Sequence, residues 1–145
     1  MFKLAQKNYK MIRDISFRKV EDIILAVVPE KETEDGLALF STYIINNKDK
    51  NLQNVLVASK GIGEVDGKML KTTAFTTIIE QLGSQTCVKI DSFEKDAAVL
   101  SNEYWVSFRL HDYLYDRKFV FVPGSIHQDN FTEIPILQQK GVMIA

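Results

Sequence analysis

Ser125, His127 and Asp129 are the residue types that together could carry out acyl transfer as a catalytic triad. They stand within five consecutive positions, directly after Pro123 and Gly124. A triad needs side chains that converge from separate elements, and a strained elbow at the serine that the motif G-x-S-x-G marks. That motif does not occur in the sequence. We interpret the stretch as a turn and predict no catalytic residue and no enzyme activity.

Metal ligands of the usual kinds are too few and too far apart to predict a metal site. His111 and His127 are the only histidines, and Cys87 is the only cysteine. Neither histidine belongs to an H-E-x-x-H pattern, and a lone cysteine cannot anchor a structural zinc site. The sequence therefore predicts no metal, and both histidines are interpreted as turn residues.

Gly61 to Met69 is the only glycine-rich stretch, so it is the place to look for a phosphate-binding loop. Walker A requires a glycine where Ile62 stands, and the dinucleotide fingerprint requires one where Asp66 stands. No cofactor is predicted. Asp66-Gly67 is instead a favoured pair for a type I′ hairpin, in which both central residues have positive φ. The stretch predicts a protruding β-ribbon.

An aromatic and basic cluster between residues 104 and 122 is the strongest candidate for binding chemistry. Alternating apolar residues around the turn at His111-Asp112 predict a hairpin. Aromatic rings and arginines on a sheet can stack single-stranded RNA bases or line a small-ligand groove. Most of these aromatics occupy core-facing positions, but Trp105, Arg109 and Arg117 have an opposite or uncertain phase. These three form the candidate binding face, while a core role is favoured for the remaining aromatics.

Two further stretches indicate the elements of a β-rich core. Residues 36–60 contain two apolar runs around the polar turn Asn46 to Asn51, which predicts a strand, a tight reversal and a second strand. Asp22 to Val28 is apolar in both phases and ends at Pro29, which is typical of a strand buried on both faces.

Residues 71–83 fit two interpretations. Phe75, Ile78, Ile79 and Leu82 follow the stripe of a helix, with Thr73 and Gly83 placed as caps. Four threonines in the same stretch favour a strand. We predict a short helix here and keep the strand as the alternative.

The two ends of the chain carry different signals. Residues 1–15 fit a short amphipathic helix with a solvated basic face, and the acidic stretch 30–36 fits a solvated turn. The tail, Phe131 to Ala145, is apolar, and must either pack on the body as an edge strand or bind another chain.

The bulk composition bounds the class of protein. The 145 residues are 46% hydrophobic and 26% charged, which predicts a single domain over 1–145 with one proper core. A net charge of −1 gives no general attraction to nucleic acid or an anionic membrane. The single cysteine and the lack of an apolar leader or long apolar run predict a cytoplasmic protein with no membrane partner.

The stretch Asn46 to Val57 resembles the strand–turn–strand of bacterial immunoglobulin-like sandwich modules. In such modules an Asn ends one strand, a Leu (here Leu52) folds over the end of the core, and a valine-rich strand follows. As a whole the chain resembles a small uncharacterised bacterial family without an established activity. The resemblance implies an all-β, immunoglobulin-like β-sandwich of about seven strands, with a protruding β-ribbon and one short helix. The alternatives are a partly open β-barrel and an α+β fold.

A fold without an evident site favours binding over catalysis. We therefore predict a non-enzymatic protein-interaction and assembly module that forms a homo-oligomer through an edge strand or the apolar tail. The alternative function is a single-stranded nucleic-acid or small-ligand binder that uses the 104–122 hairpin.

Overall fold

A computed structural model describes residues 19–30, 38–72 and 74–145, and in them two antiparallel β-sheets pack face to face. The predictions for residues 1–15 and for 31–36 lie outside the described residues. Ten strands and two short 3₁₀ helices occur in the described part. The strands are β1 (Ile23–Pro29), β2 (Leu39–Asn46), β3 (Leu52–Val65), β4 (Lys68–Lys71), β5 (Phe75–Leu82), β6 (Thr86–Glu94), β7 (Ser101–Leu110), β8 (Tyr113–Phe121), β9 (Thr132–Glu133) and β10 (Lys140–Ile144), and the 3₁₀ helices are Lys95–Val99 and Gln128–Asn130.

The strand order confirms the all-β sandwich. Sheet 1 has the order β6-β2-β1-β10-β9. In sheet 2, β3 pairs with β7 on one edge and with β4 and β5 on the other, and β8 follows β7. Strands β1-β2-β6 thus face β5-β3-β7-β8, the order in which immunoglobulin-like sandwiches place A-B-E and C′-C-F-G. The sheets do not close into a barrel, and the excess over seven strands comes from β4, β9 and β10.

The predicted hairpin over residues 36–60 is wrong in its pairing, although both strands form. β2 pairs with β1 and β6, whereas β3 belongs to the other sheet. The turn is therefore an arch between the sheets. Asn46 fixes it: its fully buried amide donates to the carbonyls of Lys50, Leu82 and Gly83, and its Oδ1 accepts from the Lys48 N–H. A local sequence pattern predicts the reversal but not which sheet receives the second strand.

The predicted helix over 71–83 is also wrong, because residues 75–82 form β5. This strand pairs with β3 along Leu52 to Ser59. Leu82 is buried and Ile79 packs on the core between the sheets, while Ile78 faces outward with 71% of its surface exposed. The β-branched residues favour a strand. Local propensity is nearly the same for a helix and a strand in this stretch, and pairing with the long edge of β3 selects the strand. Thr73, the proposed helix cap, lies outside the described residues.

Strand β1 is buried on both faces, as its sequence predicts. The side chains of one set of alternate residues pack in the core between the two sheets. Those of the other set pack in a second apolar cluster on the outer side of sheet 1. The chain after β9 covers this outer side with Ile134, Ile136 and Leu137. The apolar tail then pairs with β1 as β10. The tail thus packs on the body, which is one of the two alternatives predicted for it.

The other two predicted hairpins form. β3 and β4 make the β-ribbon, and Asp66 and Gly67 at its tip have φ of 52° and 76°, as a type I′ turn requires. β7 and β8 pair around His111 and Asp112.

Candidate interaction surface

Alternation along β7 divides its side chains between the core and the surface. Tyr104 and Phe108 are almost completely buried against sheet 1, as are Phe119 and Phe121 on β8. Trp105 points to the opposite side, the outer face of sheet 2, and 50% of its surface is exposed. A core role for most of the aromatic residues follows from this alternation.

Arg109 shares the outer face with Trp105, but Arg117 does not. The two-residue turn pairs Leu110 with Tyr113, so odd-numbered residues of β7 lie beside even-numbered residues of β8. Arg117 therefore lies on the inner side at the sheet edge. The predicted face of Trp105, Arg109 and Arg117 is divided between the two sides of the sheet.

The contacts of Arg117 belong to the body of the fold. Its guanidinium carbon lies 4.3 Å from the ring centroid of Phe119, and its Nη2 donates to the carbonyl oxygen of Ala145 at 3.2 Å. These contacts attach the last residue of the chain to β8. Arg117 thus stabilises the packing of the C-terminal strand and is turned away from the surface that Trp105 occupies.

A contiguous apolar patch occupies the middle of the outer face of sheet 2. Leu56 on β3 pairs with Ile78 on β5, and Ala58 pairs with Trp105 on β7. We call Leu56, Ala58, Ile78 and Trp105 the Trp105 face. Leu56 and Ile78 are 36% and 71% exposed. The solvent side of an antiparallel sheet ordinarily alternates to polar residues, so an aliphatic and aromatic patch at its centre is a candidate interface.

A charged group borders one end of the Trp105 face. The Glu103 carboxylate lies 2.8 Å from the Lys118 ammonium and 3.5 Å from the Lys60 ammonium. The hydrogen bond from Lys118 and the charges of both lysines lower the pKa of Glu103 below its usual value. A cleft of about 300 Å³ lies between this group and Trp105. Two lysines around one glutamate leave this end net positive.

The other end of the Trp105 face has a net charge of the opposite sign. Glu80 on β5 and Asp116 on β8 are exposed there, with Arg109 between them on β7. The Arg109 Nη2 donates to Gln53 Oε1 at the long distance of 3.5 Å. One cation between two carboxylates leaves this end net negative.

Sequence reasoning missed Leu56 and Ile78 for different reasons. Leu56 lies in a run in which both sets of alternate residues are apolar. The sequence therefore does not show which set faces outward, because that depends on the position of the partner sheet. Ile78 falls in the stretch predicted as a helix, where the apolar stripe would bury it. The signal that could have found it is the alternation Ile78–Glu80 outward and Thr77–Ile79 inward.

The loop with Ser125, His127 and Asp129 does not form a serine–histidine pair. The Ser125 hydroxyl donates to the carbonyl of Val122 at 2.6 Å. His127 Nδ1 instead accepts the backbone N–H of Asp129 at 3.1 Å. The three residues thus form a capped surface turn.

Within residues 19–30, 38–72 and 74–145, no three His, Cys, Asp or Glu side chains come together as a metal-binding group. The same part of the chain has no helix with the length and apolarity to cross a membrane. Cys87 is half-buried in β6, and this burial raises the pKa of its thiol.

No family model, curated protein or solved structure matches this chain. The resemblance of Asn46 to Val57 to bacterial sandwich modules, and that of the whole chain to a small bacterial family, therefore stay predictions. Function has to be argued from the surfaces of the molecule itself.

Proposed function

We propose that the protein is a non-enzymatic interaction module that self-associates through the Trp105 face. The observation that carries the proposal is the exposed apolar centre of sheet 2, with Trp105, Leu56 and Ile78 contiguous across three strands. Tryptophan is among the residue types that most often dominate the binding energy of such a patch. The occupant we propose is a second copy of this chain.

The charges around the Trp105 face support a second copy as the occupant. A two-fold axis that lies in the interface and runs across the strands would place the end with Lys60, Glu103 and Lys118 of one protomer opposite the end with Glu80 and Asp116 of the other. The first end is net positive and the second is net negative. A self-complementary charge distribution favours association and fixes its orientation.

Association by strand addition has less support than association by this face. The tail already pairs with β1 in its own sheet. The free edge of β8 carries Asp116, Arg117 and Lys118 in succession, and charged side chains on an edge discourage pairing with another strand.

The proposal is tested by light scattering over a range of protein concentrations. Wild type is expected to show the mass of an oligomer at high concentration, and Ile78→Asp that of the monomer. Val99→Asp is the matched control, because Val99 is also an exposed aliphatic residue but lies in the helix Lys95–Val99, outside the Trp105 face. A wild type that stays monomeric throughout, or equal masses for the two variants, would refute the proposal.

A second candidate function, single-stranded nucleic-acid or small-ligand binding, is favoured by the pairing of Trp105 with Lys118. An aromatic ring beside a cation can stack a base while contacting its phosphate. Glu103 weighs against it because it neutralises part of the positive charge. Titration of labelled single-stranded RNA would show salt-sensitive binding that Trp105→Ala weakens, whereas no change in anisotropy would exclude the RNA form of this function.

The proposal includes a cytoplasmic location for the homo-oligomer. Its support is the single cysteine, since a chain with no internal disulfide suits a reducing compartment. Fractionation of cells that express a tagged chain would test it, and recovery in a membrane or secreted fraction would contradict it.

A further inference from the structure

A small polar cavity lies between the sheets, on the side where β6 and β5 are the edge strands. Its volume is about 200 Å³. It is separate from the Trp105 face, which is on the outer side of sheet 2. The side chains that matter for its chemistry are Ser59, Phe75, Asp91, Phe93, Asn102 and Tyr104. We call it the Asp91 cavity.

An irregularity in β6 places a carboxylate in this cavity. Thr42 pairs with Asp91 and Tyr43 pairs with Lys89, so Ile90 is an extra residue in the ladder. A bulge of this kind re-aims the side chains that follow it. The Asp91 carboxylate consequently points across the sandwich and accepts from the Tyr104 hydroxyl at 3.1 Å. Bulges are common beside functional sites for this reason.

Ser59 supplies an independent indication that the cavity holds a ligand. Ser59 lies on β3, where it pairs with Tyr104 of β7, and it is only 6% exposed. Its Oγ is the one buried side-chain polar atom among the described residues with no hydrogen-bond partner. A buried hydroxyl without a partner costs free energy, so such a group usually has a role that offsets the cost.

The polar groups of the cavity are mainly acceptors. The Tyr104 hydroxyl is already shared between Thr42, at 2.9 Å, and Asp91. The amide nitrogen of Asn102 donates to the carbonyls of Ala97 and Leu100. The carboxylate of Asp91 and the hydroxyl of Ser59 remain to receive a donor. Burial raises the pKa of Asp91, as expected for a carboxyl without a cationic partner at contact distance.

The remaining walls include apolar surface. Phe75 and Phe93 line the cavity, and aromatic side chains can bury the carbon chain of a small ligand. Lys60 contributes to the wall, but its ammonium is within 3.5 Å of Glu103. A divalent metal does not fit, because Asp91 is the only carboxylate among the described residues that line the cavity and such ions require several oxygen ligands.

We propose that the Asp91 cavity binds a small primary organic ammonium. Its N–H groups would donate to the Asp91 carboxylate and the Ser59 hydroxyl, and its carbon chain would lie against Phe75 and Phe93. Three donors and no acceptor on the ammonium match the acceptors that the cavity presents.

The test uses n-butylammonium chloride as the probe and the backbone amide NMR signals of the full chain as the readout. Saturable shifts are expected at Ser59, Asp91 and Tyr104, with a Kd in the millimolar range because the ligand has few atoms. n-Butanol has the same length and no charge, and is expected to bind at least about tenfold more weakly. Equal binding of the two probes, or no saturable shift at these amides, would overturn the proposal.

Two variants separate binding from folding. Asp91→Asn keeps the side-chain shape and is expected to weaken butylammonium binding at least about tenfold, whereas Asp49→Asn, in the exposed turn between β2 and β3, leaves it unchanged. Ser59→Ala is expected to weaken binding about fivefold or more without lowering the melting temperature, because the hydroxyl it removes has no partner in the fold. Wild-type affinity in both Ser59→Ala and Asp91→Asn would overturn the proposal. If Asp91→Asn does not fold, Ser59→Ala alone decides it.

Discussion

The outer faces of the two sheets are both apolar at their centres, yet within the described part of the chain a segment covers only one of them. On sheet 1, Ile24, Ala26 and Val28 are buried under the segment that contains Ile134 and Leu137. On sheet 2, no described residue covers the four residues of the Trp105 face in a comparable way, and they are partly or largely exposed. The two faces differ mainly in whether a described segment crosses them, and less in their own residues.

An apolar run in a strand predicts that both faces are suited to burial, but not which segment or molecule buries them. Apolar residues in both phases predict burial on both faces, and for β1 the cover is supplied within the chain. For β3 and β5 the same signal leaves a surface that no described residue buries. A candidate interaction surface is thus identified by the lack of a covering segment among residues 19–30, 38–72 and 74–145, which local sequence does not reveal.

The largest effect is expected for the cover of sheet 1. Ile134→Ala should lower the free energy of unfolding by about 2–5 kcal/mol, since Ile134 is 2% exposed and its truncation leaves a cavity. Ile78→Ala is the matched change on sheet 2 and should cost the monomer less than about 0.5 kcal/mol. Urea unfolding at low protein concentration measures both. Similar losses in the two variants would contradict the distinction between a covered and an open face.

A smaller effect is expected at the seam that joins the C-terminal segment to sheet 1. Gly141 lies so close to β1 that a Cβ would overlap the carbonyl oxygen of Val27 and lie 2.7 Å from Val28 Cγ1. Gly141→Ala should therefore destabilise the fold by about 1–3 kcal/mol, as overpacking does. Gly83→Ala is the control, because its Cβ would meet Thr86 only at 3.5 Å. A Gly141→Ala variant as stable as the control would mean that this segment packs loosely.

The smallest effect concerns the charges beside the Trp105 face. Lys118 and Lys60 lower the pKa of Glu103 in the folded state below its unfolded value near 4.5. The stabilisation is thus present above that pH and is lost as the pH falls through the lowered pKa. It should be less than about 1 kcal/mol, because both lysines are substantially exposed.

Urea unfolding of wild type and Glu103→Gln from neutral pH down to about pH 3 measures this contribution. The difference in unfolding free energy between the two should shrink as the pH falls. High salt should reduce the difference at neutral pH as well. A difference that grows in acid would show that the two lysines do not hold Glu103 in its charged form.

The sequence predicts those parts of the fold that depend on residues close to one another along the chain. β1, the Asp66-Gly67 ribbon and the β7–β8 hairpin follow from local alternation and turn chemistry. The pairing of β2 with β6 and of β3 with β7 joins strands far apart in the chain, so the turn at Asn46 was misread as a hairpin. The helix over 71–83 failed for the same reason, since the partner of β5 is outside the local window.

Two of the three residues of the predicted binding face lie on one side of the sheet. Trp105 and Arg109 lie on one face because they share a phase on β7. Arg117 was grouped with them, but the register set by the turn at His111 places it on the other side. The Asp91 cavity could not be predicted, because it depends on a bulge in β6 and on the facing positions of Ser59 and Tyr104 in the other sheet.

The most direct test of the central claim uses Trp105 as its own reporter, because it is the only tryptophan in the chain. Half of its surface is exposed in the monomer. Emission and acrylamide quenching are measured as the protein is concentrated, alongside its mass. Self-association through the Trp105 face predicts blue-shifted emission and weaker quenching as the oligomer forms. An oligomer in which Trp105 stays as quenchable as in the monomer would contradict the account.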